Sequence, residues 1–65
     1  MRSRLHKGDA VTRRGEEEVG TVTRVKERGV AGSAHTYIEY IDVTYEDGRV
    51  VQGDPSLFRR VDEGW

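Results

Sequence analysis

The chain has 65 residues, of which 34% are hydrophobic and 35% charged, with a formal net charge of −1 and no cysteine. A domain that small buries only about 60% of the surface of its unfolded chain, and the lack of cysteine excludes disulfides, thiolate metal sites and cysteine nucleophiles together. No apolar run approaches the roughly 20 residues of a membrane-spanning helix, and a small domain without disulfides suits a reducing cytoplasm, the compartment expected for it.

Residues 1–7 read as a flexible basic arm carrying Arg2, Arg4 and Lys7, with order beginning near Leu5. Gly8 and Asp9 open a first strand over residues 9–14, with Val11 as its inward anchor and Arg13 and Arg14 at its end. Gly15 and the run Glu16-Glu17-Glu18 make a turn. Adjacent carboxylates there diverge, whereas a hard cation needs converging oxygens. The second strand covers about residues 19–27 and carries Arg24 and Lys26, followed by Arg28. Its apolar Val22 and Val25 are three apart, which a regular strand places on opposite faces, so a bulge or a sharply coiled strand is expected. Residues 29–34 are small, uncharged and glycine-rich, hence a loop.

The third strand, residues 36–45, is the longest. Ile41, Val43 and Tyr45 alternate toward the core. Strict alternation adds Tyr37 to that inner set and leaves Ile38 and Tyr40 outward, as a binding or self-association patch. The alternative is a bulge near Tyr40 that turns them inward. Asp47-Gly48 then predicts a two-residue hairpin, because a type I′ turn needs positive φ at both central positions. The return strand, residues 49–52, supplies Val50 or Val51 to the facing wall, and Gly53-Asp54-Pro55-Ser56 breaks it. Pro55 sets a 3₁₀ turn over residues 55–58, with Leu57 plugging the core. A last strand, residues 59–62, carries Val61 inward, and residues 63–65 form a tail ending in Trp65. The order of elements predicts an all-β domain over residues 8–62: a five-stranded SH3-like barrel with a 3₁₀ turn before the last strand. An OB-fold, the rival five-stranded barrel, usually carries a helix between its third and fourth strands, where this chain has only a tight turn.

Gly8-Asp9-Ala10-Val11, followed by Val19-Gly20-Thr21-Val22-Thr23-Arg24-Val25, resembles the opening of KOW-type SH3-like barrels. Val43-Thr44-Tyr45-Glu46-Asp47-Gly48 leading to Leu57 is similar to the Tudor hairpin. Tudor readers of methylated lysine or arginine cage the cation in aromatics around the turn between their first two strands. Arg13, Glu18 and Val19 stand there in this chain, and no aromatic precedes Tyr37. A weaker topological likeness is to the plasmid-encoded type II dihydrofolate reductases. Val51, Gln52 and Pro55 match that family's pore motif, while Gly53 and Asp54 replace its isoleucine and tyrosine.

Neither histidine, His6 or His35, has further ligands at metal-binding spacing. Ser3, Ser33 and Ser56 have no neighbouring base. No catalytic, cofactor or metal site is expected. The leading expectation is a non-enzymatic interaction module, an accessory protein of a bacterium or its phage. It would bind a protein partner through Tyr37, Ile38 and Tyr40, with self-association along the same strand. The alternative, implied by the KOW resemblance, is nucleic-acid binding by a basic face of Arg2, Arg4, Lys7, Arg13, Arg14, Arg24, Lys26 and Arg28.

Overall fold

A computed structural model describes residues 4–63. Five antiparallel strands follow in the order β1 (Ala10–Arg13), β2 (Val19–Gly29), β3 (Thr36–Tyr45), β4 (Val50–Gly53) and β5 (Phe58–Arg60), with one 3₁₀ turn (Pro55–Leu57) between the last two. Their order across the sheet is β4-β3-β2-β1-β5.

β4 and β5 are therefore opposite edges of the sheet, yet residues 54–57 suffice to join them. In a flat sheet those edges stand about 19 Å apart, four strand spacings. The five steps from residue 53 to residue 58 span at most about 18 Å even fully extended, and a 3₁₀ turn shortens them further. The sheet must curl to bring its edges together. A Cβ added at Gly53 would stand 3.3 Å from the Phe58 ring, so the edges do approach. They are not hydrogen-bonded to each other: β4 has a register only with β3, and β5 only with β1. The result is a curled open sheet rather than the closed barrel expected from sequence.

The curl encloses a small core of Leu5, Val11, Val22, Ile41, Val43, Tyr45 and Phe58, with Val25, Ile38 and Val51 packed against it. Gly20 lies opposite both Val11 and Tyr45 in register. A side chain there would overlap Val43 Cγ1 and stand 3.1 Å from the Tyr45 ring carbons, so the missing Cβ is what lets the tyrosine lie across β2.

Two expected bulges or bends resolve into definite register shifts. Val22 pairs with Val43 and Arg24 with Asp42, leaving Thr23 as the extra residue of β2. That brings Val25 opposite Ile41 on the inner face, which reconciles the three-residue spacing. Lys26 pairs with Tyr40 and Glu27 with Ile38, leaving Glu39 as the extra residue of β3.

The hairpin after β3 is a correction. Its connection has three residues, 46–48, with Gly48 N donating to Tyr45 O and Tyr45 N to Arg49 O, both at 2.9 Å. Gly48 has φ +90°, but no described non-glycine residue has positive φ, so Asp47 does not adopt the type I′ geometry. This is the pattern of a type I turn followed by a left-handed glycine. Asp47 instead accepts from Arg49 N through Oδ1 at 3.1 Å.

The C-terminal core assignment also changes. The 3₁₀ turn ends at Leu57, which is exposed, and Phe58 opens β5 with its ring buried. Asp54 caps the turn by accepting from Ser56 N at 2.9 Å. β5 stops at Arg60, leaving Val61 exposed; Val51 rather than Val50 is the half-buried member of β4. Trp65 and Arg2 lie outside the described residues. No described helix is long and apolar enough to cross a membrane.

Candidate functional site: the outer face and edge of the β2–β3 ribbon

β1 pairs with β2 only at residues 19–21, and β4 pairs with β3 only at residues 41–44. Beyond those points residues 25–29 and 36–40 continue as a two-stranded ribbon. The cause on the β4 side is local. Pro55 cannot donate to a ladder, and the 3₁₀ turn leads the chain off β3 at Gly53. Past Ile41 no other described strand takes up that edge, and among the described residues no backbone–backbone hydrogen bond other than those to β2 reaches residues 36–40.

The extra residue Glu39 decides which side chains face outward. Tyr40 remains on the outer face with Asp42 and Thr44, but one position is consumed by the bulge. Ile38 therefore turns to the core side and Tyr37 turns outward, where it is 47% exposed. This reverses strict alternation for both residues. Tyr40 is half-buried. Of the three residues expected to bind a protein partner, the structure leaves Tyr37 and Tyr40 on the outer surface and packs Ile38 against the core.

On the facing strand Arg24, Lys26 and Arg28 alternate on the same outer face, in register with Asp42, Tyr40 and Tyr37. Successive cations stand about 7 Å apart along the strand. The Arg24 guanidinium lies 5.9 Å from the Tyr40 ring centroid, within cation–π range. Arg28 pairs with the bulged Glu39 at 3.4 Å, and Gln52 Nε2 donates to Asp42 Oδ1 at 3.2 Å.

The remaining basic residues do not join them. Arg13 and Arg14 end β1 beside the Glu16–Glu18 turn, and Arg24 to Arg28 lie some 17–30 Å further along β2. Arg4 crosses to the ribbon, donating through Nη2 to Thr36 O at 2.7 Å and pairing with Glu27 at 3.7 Å. Lys7 is exposed in the turn before β1. The described members of the expected basic face are thus divided among four places.

The other end of the outer face is acidic. Glu18, Glu46 and the hydroxyls of Thr21, Thr23 and Thr44 line a shallow groove of about 630 Å³. Arg49 closes that end, holding Asp47 at 2.7 Å, pairing with Glu18 and lying 5.0 Å from the Tyr45 ring centroid. Burial pushes the Tyr45 phenol above its ordinary value, and Glu16 and Glu18 push it further.

A smaller cleft lies on the opposite, core side of the ribbon, between β3 and the 3₁₀ turn. Leu5, Ile38, Pro55 and Phe58 make it apolar, Arg4 and Arg59 stand at its rim, and its volume is about 190 Å³. Sequence reasoning missed this cleft, because its walls come from three segments far apart in the chain. Among the described residues no three His, Cys, Asp or Glu side chains converge as a metal site would require. Comparison with protein-family models, with characterised proteins and with solved structures finds no match to this chain.

Proposed function

We propose that this protein is a non-enzymatic interaction module that docks a protein partner on its β2–β3 ribbon, and that its curled sheet is a small β domain of the SH3-like kind. The strand order, the single 3₁₀ turn and the close approach of β4 to β5 support the fold reading. The observation that carries the functional reading is the edge of β3 at residues 36–40. Among the described residues it has no strand neighbour beyond β2, only the Arg4 side chain donating to Thr36 O, and it lies beside an exposed tyrosine. An open strand edge is a template for pairing with another chain, and tyrosine is enriched where partners bind.

The test is affinity capture with the full chain, followed by identification of the bound protein and repetition with purified components. The double variant Tyr37→Ser/Tyr40→Ser is expected to lose that partner at least about tenfold. Val50→Ser, at an exposed site on β4, is expected to retain it. Equal binding by wild type and double variant overturns the reading.

Nucleic-acid binding is the second reading, favoured by one observation: Arg24, Lys26 and Arg28 share a face with Tyr37 and Tyr40. Cations in a row beside rings suit a single strand, with phosphates on the former and bases stacked on the latter. It predicts retardation of oligonucleotides at low salt, steep loss as salt rises, and loss in Arg24→Glu/Lys26→Glu. No retardation at low salt removes it.

A further inference from the structure

Resting on the protein-docking reading, we infer that the partner is a second copy of this chain. The two copies pack by the outer faces of β2 and β3, inverted so that the basic end of each meets the acidic end of the other. The charge layout of that face selects this occupant.

Each end keeps an excess of its own sign. At the acidic end Glu16, Glu17, Glu18, Glu46 and Asp47 stand against Arg13, Arg14 and Arg49. At the basic end Arg4, Arg24, Lys26 and Arg28 stand against Glu27, Glu39 and Asp42. Several of these charges are already engaged. Arg49 holds Glu18 and Asp47, Arg28 holds Glu39, Arg4 holds Glu27, and Arg24 lies over the Tyr40 ring. Lys26 and Glu46 are exposed and make no ion pair among the described residues, which leaves a surplus charge at each end. A partner of one sign is attracted to one end and repelled by the other. A copy of the same chain turned end for end matches both, and a net charge of −1 keeps long-range repulsion between copies small.

The ladder fixes how the copies meet. Lys26 pairs with Tyr40 and Gly20 with Tyr45, so Glu46 and Val19 lie about 20 Å along the sheet from Lys26 and Tyr40. Midway is the Val22–Val43 pair, beside which the Thr23 and Thr44 hydroxyls are hydrogen-bonded to each other at 3.0 Å. A two-fold axis there, crossing the strands and lying between the two sheets, meets the short, uncharged Thr21, Thr23 and Thr44. It brings Lys26 and Tyr40 of each copy level with Val19 and Glu46 of the other. The strand spacing of about 4.8 Å that separates Lys26 from that Glu46 is within reach of a lysine side chain. Tyr40 and the exposed Val19 give the contact its apolar part.

The experiment follows the mass of the full chain by sedimentation over a concentration series. At low salt it is expected to rise from 7.4 kDa toward twice that value, and to fall back as salt is added. Lys26→Glu and Glu46→Lys each put like charges together at both symmetric contacts. Each variant alone is expected to raise the dissociation constant about tenfold or more. Mixed in equal amounts, the two are expected to recover the wild-type association. In the mixed pair the new carboxylate meets the new ammonium, and the unaltered lysine meets the unaltered glutamate. Neither side chain has a partner to lose within its own chain, so urea midpoints should match wild type.

A mass that stays at 7.4 kDa up to millimolar concentration at low salt overturns the inference. A monomer that retards oligonucleotides does so as well, and leaves the basic end to the nucleic-acid reading. Association that both reversals leave unchanged places the contact on another face and overturns it too. So does a mixture that stays as weakly associated as the single variants. The protein-docking reading itself stands or falls separately, on the Tyr37 and Tyr40 capture experiment.

Discussion

Asp9 and Arg60 stand 3.1 Å apart, Oδ2 to Nε, and tie the start of β1 to the end of β5 with both side chains mostly covered. The same Asp9 oxygen accepts from His6 N at 2.8 Å, and Arg60 Nη2 also donates to Arg4 O. One ion pair thus anchors the segment that delivers Leu5 to the core.

Acid should release that anchor. The His6 N–H, and then the Arg60 guanidinium, hold the Asp9 carboxyl below its ordinary value. A carboxylate depressed on folding contributes stability that is present above its unfolded pKa and is lost as pH falls through its folded one. Asp9→Asn is expected to cost about 1 kcal/mol near neutral pH. The deficit relative to wild type should disappear below the carboxylate range. Urea unfolding of both proteins at the two pH values checks it, and a deficit that persists in acid contradicts the assignment.

Gly20→Ala should be among the most damaging small substitutions in the chain. Its methyl must displace Val43 Cγ1 and press on the Tyr45 ring. Overpacking of this kind costs about 1–3 kcal/mol. Gly29→Ala, at a β2 position with nothing within 4 Å of the added carbon, is the control and should not destabilise. The two urea midpoints decide the matter.

At the hairpin, Gly48→Ala should cost about 1–2 kcal/mol, because φ +90° presses Cβ against the backbone. Asp47→Gly should not gain what a type I′ turn would gain, since residue 47 already has negative φ. Equilibrium unfolding of both variants separates the three-residue connection from the two-residue one.

The bulge at Glu39 makes an inverted prediction for its neighbours. Ile38→Ala should cost about 1–2 kcal/mol through lost packing against the core. Tyr37→Ser should fall within about 0.5 kcal/mol of wild type, as exposed substitutions do. Strict alternation along β3 would give the reverse order, so thermal or urea denaturation of the pair tests the register directly.

The local signals in this chain are legible because they depend on near neighbours. The alternation of Ile41, Val43 and Tyr45, the turn at Asp47-Gly48, and the break at Pro55 each follow from a few adjacent residues. They were enough to predict five strands and a 3₁₀ turn. The turn type is not legible locally, because Glu46-Asp47-Gly48 and Asp47-Gly48 differ by one residue, and only the pairing of Tyr45 with Arg49 distinguishes them. Leu57 and Phe58 were exchanged for a similar reason: a one-residue change in where the turn ends decides which of two apolar neighbours faces the core.

The candidate site was less legible. Its cations and tyrosines could be named one by one, but their common face depends on two bulges, at Thr23 and Glu39. A bulge is a property of two paired strands, since the extra residue is extra only relative to its partner. The cleft behind Ile38 is further still from local reading, with walls from Leu5, Ile38, Pro55 and Phe58. By itself the sequence determined the number, order and all-β character of the elements, through alternation and turn chemistry. Only the tertiary structure decided that the sheet curls without closing, that Ile38 faces in and Tyr37 out, and that no described strand but β2 pairs with residues 36–40 of β3. Those depend on register and on a four-residue connection between opposite edges, and such long-range geometry is fixed by the packing of distant segments.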